Sequence, residues 1–373
     1  MSTRSKLFFW RDPYDYAGTQ ELFVAAARES CAFHYAHCPE YRQVLDGFDF
    51  LPQQLRHFDD LARLPVLPTV FFKQHNVFSM PPRRMLIKAT SSGTKGQMSR
   101  VGFDAGGLAC GAPMVLRLAA RRGLLSARPA HYIQLGYKPH KGNQTAVTKT
   151  AFGATFFAPA LSRTYAREYG PNGYEANLDR VAAAVKHHAS SHLPTRFMGF
   201  PSYTYFLLRQ MEQQGVRLTL PPGSKIMLGG GWKQFYTEQV EKEVLYDLAR
   251  RVLGVEEEHI VEFFGAVEHP IMYTDCERHH FHVPVYSRVI IRDVNTLEPV
   301  PYGTVGLVNL ITPMVKATPI LSVMTDDLGV LHPGAECGCG IAAPYLEILG
   351  RIGLKEIKTC AAGAAELLSG VNT

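Results

Sequence analysis

The sequence predicts an α/β protein in which helices flank a mostly parallel sheet, with a β-rich sub-domain after it. Two patterns indicate this fold: short apolar runs alternate with segments of helical periodicity between about residues 104 and 264, and a hairpin pattern begins after residue 285. The 373 residues are 46% hydrophobic and 19% charged, which is typical of a packed protein too long for one core. We therefore expect sub-domains.

The first elements are a helix and a short strand. Apolar residues recur at helical spacing over 20–37, and Pro39 follows as a stop. The β-branched and aromatic run Thr69–Phe72 leads into Met85–Thr90, which is expected to be a strand that ends at a Ser/Gly loop.

The middle of the chain alternates between helical and strand-like segments. Helical patterns recur at about 104–122, 173–190, 202–214 and 235–253. Strand-like runs lie between them at His131–Leu135, Arg196–Phe200, Lys225–Leu228 and His259–Phe264. The last helix is expected to end at Gly254 and to bury one apolar face formed by Phe235, Val240, Val244, Leu245, Leu248 and Val252. Alternation of this kind predicts βαβ units.

The C-terminal third predicts a hairpin. Arg288–Arg292 and Val305–Ile311 flank a turn-rich segment, so we expect two antiparallel strands. The expected division is a body over 1–350, with an α/β part to about 275 and a β-rich sub-domain over about 276–350, followed by a tail over 351–373.

Charge and hydropathy exclude several functions. The net charge of +6 comes from basic residues scattered in ones and twos, which disfavours nucleic acid as a partner. The N-terminus turns polar at Arg11 and no apolar run reaches the ~18 residues of a membrane span, so a cytoplasmic protein is expected. Seven irregularly spaced cysteines indicate individual thiols rather than a disulfide framework.

A loop rich in hydroxyls and glycine is a candidate phosphate site. Thr90-Ser-Ser-Gly-Thr-Lys-Gly-Gln97 follows the predicted strand and offers backbone N–H groups, hydroxyls and one lysine. It lacks the spacing of a Walker A loop, and a flexible surface turn is the alternative.

Further segments follow this loop in a fixed order: a strand ending in glycines at 225–233, an aromatic-Gly segment at 263–270, Val323–Gly329, and a Gly-Arg segment at 349–358. The ordered set resembles the core motifs of adenylate-forming enzymes over roughly residues 85 to 360. Together with Asp12-Pro-Tyr14 and a cysteine after the Gly-Arg segment, it resembles more narrowly the acyl-protein synthetases of the LuxE type, whose sister group is the phenylacetate-CoA ligases.

The resemblance implies an adenylate-forming fold that uses ATP and Mg²⁺ to convert a carboxylic acid, expected to be a fatty acid, into an acyl-adenylate. By position in the family, the residues that would bind the β- and γ-phosphates are Ser91, Ser92, Gly93, Thr94, Lys95 and Gly96. Phe264 would stack on adenine, and Gly230, Gly265 and Arg351 belong to the ATP site. Glu268 would bind Mg²⁺, and Asp327 would accept the ribose hydroxyls.

The chain departs from the wider family at three places. Val267 replaces a threonine, and Asp326 replaces a glycine, so either Asp326 or Asp327 faces the ribose. Only 22 residues, 352–373, follow Arg351, so the C-terminal ligase domain is expected to be essentially absent. The lysine of that domain then has no counterpart, unless Lys355 or Lys358 substitutes for it.

Cys360 is the expected acyl acceptor, because LuxE-type enzymes take the acyl group on a cysteine at this place before passing it to a reductase or carrier protein. Two lysines just upstream favour its thiolate. The alternative is a free cysteine on a frayed terminus, in which case Cys110 or Cys337 is next in line. Rival functions are an acyl- or aryl-CoA ligase and a non-catalytic scaffold of the same fold.

A second group of residues has the composition of a structural zinc site. Cys276, His282, Cys337 and Cys339 form a Cys₃His set, with His279 and His280 as alternatives to His282. The competing interpretation is scattered small hydrophobic residues. The acyl pocket is expected near 199–205 and the glycines 229–231, although Tyr203, Tyr205 and Phe206 are equally compatible with ordinary core.

Overall fold

The structure, a computed structural model, describes residues 1–91, 98–143, 145–232 and 235–351. Within them the chain forms two compact units. The first unit combines Met1–Leu118 with the chain from Gly265 onward, and the second is the continuous segment Ala119–Phe264. The boundaries expected from sequence near residues 275 and 350 remain predictions.

The described residues contain nine α-helices. They are α1 (Thr3–Phe8), α2 (Gln20–His37), α3 (Pro39–Gly47), α4 (Thr69–Gln74), α5 (Ala105–Arg121), α6 (Ala146–Ala154), α7 (Leu178–Ala189), α8 (Pro201–Gln213) and α9 (Lys242–Leu253). Short 3-10 helices occupy Pro52–Gln54, Phe58–Arg63, Pro82–Arg84, Tyr236–Glu238, Glu257–His259 and Gly334–Glu336.

The same residues contain fifteen strands. They are β1 (Leu67–Pro68), β2 (Ile87–Thr90), β3 (Arg100–Phe103), β4 (Ala130–Tyr137), β5 (Ala160–Gly170), β6 (Gly173–Ala176), β7 (Thr195–Gly199), β8 (Lys225–Gly229), β9 (Ile260–Ala266), β10 (His269–Thr274), β11 (Phe281–His282), β12 (Arg288–Arg292), β13 (Gly306–Ile311), β14 (Ser322–His332) and β15 (Tyr345–Arg351).

The second unit is built on a parallel sheet, as the alternating pattern predicts. Its strands lie in the order β9-β8-β7-β4-β5-β6, and every neighbouring pair is parallel except β5 with β6. Helices α7, α8 and α9 pack their apolar faces with one face of this sheet into a buried core that includes Ile133, Phe197, Leu207 and Leu248. All four strand-like runs of the sequence overlap strands of this sheet, with Phe200 and His259 lying one residue outside β7 and β9.

Helix α9 illustrates how a sequence pattern sets a buried face. Leu245, Leu248 and Val252 are buried, and Gly254 ends the helix with a φ of 64°, a left-handed conformation that favours glycine. The prediction that Val244 shares this face is wrong, since its side chain is 49% exposed. It precedes the stripe by one residue, which rotates it about 100° away from that face.

The predicted helical segments 173–190 and 235–253 are partly wrong. Residues 173–176 form β6, which pairs antiparallel with β5, and the second helix begins only at Lys242. In both cases the apolar residues before the helix are used by a strand or a loop, which periodicity alone cannot separate from a helical turn.

The first unit contains a mainly antiparallel sheet in the order β11-β15-β14-β13-β12, and β1 adds to β14 in parallel through Leu67 and Val323. The predicted hairpin is confirmed, because β12 and β13 pair antiparallel from Arg288↔Ile311 to Arg292↔Leu307. Strands β2 and β3 form a separate hairpin, which confirms the expected strand before the Ser/Gly loop. The run Thr69–Phe72 begins helix α4.

Among the described residues, no helix combines the length and the apolar character that crossing a membrane requires.

Candidate nucleotide site and metal centre

The candidate phosphate loop rises from the β2–β3 hairpin, and its ends are held together. The backbone N–H of Ser91 donates to the carbonyl oxygen of Ser99 at 3.1 Å, and the N–H of Ser99 donates to the Ser91 hydroxyl at 3.0 Å. The next residues along the two strands, Thr90 and Arg100, are a directly paired position of β2 with β3. Residues Ser92, Gly93, Thr94, Lys95 and Gly96, which the sequence assigns to phosphate, lie outside the described residues, as does Cys360.

Glu268 lies in the turn between β9 and β10 and is 4% exposed. Burial raises the pKa of this carboxyl, while the nearby Ser99 hydroxyl and the charge of Lys73 lower it. The Ser99 hydroxyl is itself buried and lies close enough to the Glu268 carboxyl to interact with it. The foot of the loop and the predicted magnesium ligand therefore lie together.

Asp326 belongs to this neighbourhood and is half-buried. Its carboxylate accepts a hydrogen bond from the Thr69 hydroxyl at 3.0 Å, and Lys73 Nζ lies 3.7 Å from its other oxygen. The Asp326 charge also raises the pKa of Glu268. Sequence reasoning missed Thr69 and Lys73, because no local motif marks them and Thr69 is 257 positions from its partner.

The next residue on β14, Asp327, has a different partner. The Nε of Arg351 donates to its carboxylate at 2.9 Å, and the two residues are directly paired between β14 and β15. Successive side chains on a strand point to opposite faces, so Asp326 and Asp327 are separated into two environments. Of the sequence-assigned ATP residues, the structure thus brings Asp327 and Arg351 into contact.

Two assigned residues lie in the second unit, at the carboxyl ends of parallel strands. Gly230 follows β8 with a φ of 82°, a conformation that glycine adopts at little cost. Phe264 lies near the end of β9 and is half-buried. The carboxyl ends of parallel strands are where open α/β sheets bind ligands, which agrees with the predicted roles. Gly265 follows Phe264 on the same strand and belongs to the first unit.

The four residues of the predicted Cys₃His set come together. One ligand atom from each of Cys276, His282, Cys337 and Cys339 lies within 4.8 Å of all the others. The sulfurs of Cys276 and Cys337 are 3.5 Å apart, and the Cys339 sulfur is 3.1 Å from Nε2 of His282. The first three residues are buried and Cys339 is half-buried, and burial raises the pKa of the Cys276 and Cys337 thiols.

The orientation of His282 suits a metal ligand. Its Nδ1 lies 2.7 Å from the carbonyl oxygen of Ala343, so Nδ1 carries the proton and Nε2 is directed at the cluster with its lone pair. The alternative His279 bonds instead to Asp275 at 2.6 Å, whereas His280 reaches Cys337 at 3.2 Å and stacks on Tyr345. The donor set fits a closed zinc site.

The fold is that of the adenylate-forming ligases. A solved structure of 2-hydroxyisobutyryl-CoA ligase in complex with its acyl-AMP aligns with a TM-score of 0.70 at 17% identity, covering 92% of this chain and 73% of the ligase. A long-chain-fatty-acid-CoA ligase from Archaeoglobus fulgidus aligns with a TM-score of 0.50.

Sequence comparison identifies the family. The profile of the family described as acyl-protein synthetase, LuxE, matches residues 2–369, and the chain belongs to this family. It is 23% identical to the long-chain-fatty-acid–luciferin-component ligase of Aliivibrio fischeri, over 97% of this chain and 93% of that enzyme. It is 27% identical to a phenylacetate-coenzyme A ligase of Thermus thermophilus, over 83% of this chain and 64% of the relative. The protein is accordingly an AMP-forming acid ligase.

Proposed function

We propose that this protein activates a long-chain fatty acid with ATP and then carries the acyl group on Cys360 for delivery to an acyl reductase. The observation that supports this most directly is the buried carboxylate of Glu268 beside the foot of the loop 91–99. The A. fischeri relative is named as a long-chain-fatty-acid ligase acting on a luciferin component, which supports the fatty acid and the protein acceptor.

The residues of the first unit fit a bound Mg²⁺ at this place. Glu268 forms no ion pair with any described residue, so its carboxyl group offers oxygen ligands in a buried position beside the Ser99 hydroxyl. A bound Mg²⁺ supplies charge neutralisation of the triphosphate. Glu268 would hold it, and Lys73 offsets the second negative charge, that of Asp326.

The remaining assignments rest on the residues around the nucleotide. Asp327 is proposed to accept the ribose hydroxyls, with Arg351 fixing the orientation of its carboxylate. The loop residues 91–96, including Lys95, are proposed to bind the β- and γ-phosphates. Together these groups would hold the α-phosphate in line with the attacking carboxylate, so positioning and electrostatics account for the rate.

Cys360 is supported as the acceptor by the state of the other cysteines. Six of the seven cysteines are in the described residues: Cys31, Cys38, Cys110, Cys276 and Cys337 are buried, and the half-buried Cys339 belongs to the metal cluster. Burial raises the pKa of the Cys110 thiol, which lowers its thiolate fraction. None of these six is a free exposed nucleophile.

We also propose that the Cys₃His cluster binds one structural zinc ion. Three sulfurs and one imidazole nitrogen fill a tetrahedral shell and leave no open position, so the metal would stabilise the fold and would not react. It would join the segment after β10 to the segment before β15.

Pyrophosphate exchange measured across a panel of carboxylic acids tests the activation step. We expect exchange with long-chain acids, and a drop of roughly 10²-fold in Lys95→Ala, from the loss of a phosphate contact. If none of the acids supports exchange, the proposed activation is wrong and the non-catalytic scaffold is the remaining interpretation. Adding ATP and a labelled acid without coenzyme A then separates the two ligase classes, because only an acyl-protein synthetase labels itself, whereas a phenylacetate-type ligase requires the free thiol.

A further inference from the structure

Two exposed aromatic side chains lie at the end of helix α6 in the second unit. Phe152 is in the last turn of α6 and Phe156 is in the turn that follows, and the two residues are 37% and 68% exposed. Their rings are in edge-to-face contact, with 5.4 Å between the centres. Leu161, at the second position of β5, is 61% exposed. Single exposed apolar residues are common on protein surfaces, but exposed phenylalanines in contact with each other indicate a binding surface.

Arg163 adds a positive charge to these two rings. Its guanidinium carbon is 5.6 Å from the centre of the Phe152 ring and 5.8 Å from the centre of the Phe156 ring. Its Nε donates to the Thr155 hydroxyl at 3.0 Å. Arg163 is exposed and forms no ion pair with a carboxylate in the part of the chain that the structure describes. Phe152, Phe156, Leu161 and Arg163 form the α6 patch, which combines apolar surface with an uncompensated positive charge.

The chain that surrounds the α6 patch is basic. Segments 119–132 and 145–165 contain no Asp or Glu, and a backbone hydrogen bond of 2.9 Å from Ser126 N–H to the Phe157 carbonyl oxygen connects them. The basic residues of the two segments are Arg121, Arg122, Arg128, Lys149 and Arg163. An excess of positive charge next to exposed aromatic rings indicates a partner with a negatively charged surface.

The α6 patch lies on the face of the parallel sheet that is opposite to helices α7–α9. Ile133 pairs with Thr164 between β4 and β5, and Ile133 belongs to the core that those helices cover. Arg163, one position before Thr164, therefore projects from the other face. Gly153 is also exposed, and a Cβ added to it would meet no atom within 4 Å. The described chain thus leaves the end of α6 open to solvent.

The size and composition of the α6 patch favour a lipid surface over a folded protein. A stable protein interface buries roughly 800 Å² on each partner, whereas the apolar part of this patch is formed by the side chains of Phe152, Phe156 and Leu161. A few Phe and Leu side chains beside basic residues are sufficient for reversible binding to an anionic bilayer, because apolar burial and attraction to the headgroups act together.

We infer that the α6 patch binds the surface of an anionic bilayer, with Phe152, Phe156 and Leu161 inserted among the lipids and Arg163 at their phosphate groups. This contact is peripheral and involves no membrane-spanning segment. It goes beyond the proposed function and would bring the enzyme to its substrate, because a long-chain fatty acid partitions into bilayers through the burial of its methylene groups.

Binding to vesicles tests the inference without any catalytic step. The protein is sedimented with vesicles of equimolar phosphatidylglycerol and phosphatidylcholine, and with vesicles of phosphatidylcholine alone. The partition coefficient should be about fivefold or more higher on the anionic vesicles and should decrease as salt is added, because ions screen the attraction. Phe156→Ser should lower the partition coefficient roughly 10-fold, which is the value of one buried phenyl group.

Gly153→Glu tests the charge of the same surface, and Gly153→Gln is its matched neutral control. Neither side chain meets a neighbouring atom at its Cβ. The glutamate variant should bind the anionic vesicles about fivefold more weakly than the glutamine variant, because its carboxylate is repelled by the lipid phosphates. Val244→Ser removes an exposed apolar side chain from α9, on the other face of the sheet, and should leave binding within about twofold. The thermal midpoint of each variant verifies that it is folded.

Three results would overturn the inference: no binding of the parent to anionic vesicles at low salt, equal binding by Phe156→Ser and the parent, or equal binding by the two Gly153 variants. An acidic protein is then the alternative occupant of the patch. Pyrophosphate exchange without vesicles should stay within about twofold in every variant, because none of these residues belongs to the proposed nucleotide site. Vesicle binding by a parent that lacks exchange with every acid would refute the proposed function and support the bilayer contact.

Discussion

At the scale of single residues, Glu268 combines a functional assignment with a cost to stability. Its carboxyl pKa is raised in the folded protein, mainly by burial, so the folded state binds this proton more tightly than the unfolded state does. The free energy of unfolding therefore decreases as the pH rises from the ordinary value of 4.5 towards the raised pKa of the folded state. A carboxyl group buried at this cost to stability is expected to serve a ligand.

Glu268→Gln should consequently separate activity from stability. Pyrophosphate exchange should fall roughly 10²-fold, since a metal contact in the transition state is lost. The thermal midpoint at pH 7, measured without added Mg²⁺, should rise, and the difference from the parent should shrink as the pH approaches 4, where both states are protonated. Glu256→Gln, at an exposed position, is the control and should change neither quantity. Normal exchange in Glu268→Gln contradicts the assignment.

The neighbouring aspartates offer a comparison within one strand. Asp327 contacts Arg351, while Asp326 contacts Thr69 and Lys73, so we expect only Asp327→Asn to weaken ATP binding directly. The KM for ATP should rise about tenfold or more, which is the cost of a charged hydrogen bond to ribose. Asp326→Asn should leave that KM within about threefold. The reverse order of effects would assign the ribose to Asp326.

At the scale of elements, the Cys₃His cluster connects β11 and the segment before β15. Cys339→Ser should lower zinc content from about one ion per chain to near zero, because three ligands hold the ion much less tightly than four. Thermal stability should fall more than activity at saturating substrate. Cys38→Ser, which alters a buried cysteine outside the cluster, should keep its zinc. Parent protein purified without chelator and free of zinc would refute the site.

The elements that the sequence predicts are those with local signals. Helix α8 and strands β4, β7 and β8 follow from periodicity, and the β12–β13 hairpin follows from two runs around a turn-rich segment. Strand β1 could not be predicted, because it has two residues and its pairing partner is β14, far along the chain. The ion pair of Lys73 with Asp326 escapes prediction for the same reason. Long-range pairing is decided by tertiary packing, which a single sequence does not encode locally.

At the scale of the whole molecule, acid activation and acyl transfer are expected to be separable. Cys360→Ser, and truncation after Thr359, should leave pyrophosphate exchange within about twofold while abolishing a hydroxylamine-labile acyl-protein, because the thioester forms only after the adenylate. Radiolabelled fatty acid with ATP measures both steps in one preparation.

Cys110→Ser serves as the control for that experiment, since this thiol is 2% exposed and should not accept an acyl group. If Cys360→Ser still accumulates the labile acyl-protein, Cys110 or a metal-free Cys337 becomes the acceptor. The transfer mechanism is then wrong, although the adenylating reaction is unaffected.

The division of the first unit into two separate stretches of chain affects the order in which the parts of the protein can fold during translation. The second unit, Ala119–Phe264, is continuous and is complete once the ribosome has released residue 264. Strand β1 is synthesised long before its partner β14. We therefore expect the first 118 residues to leave apolar surface exposed until the rest of their unit has been synthesised. We expect the middle of the nascent chain to fold first and its beginning to depend on chaperones until translation is almost over.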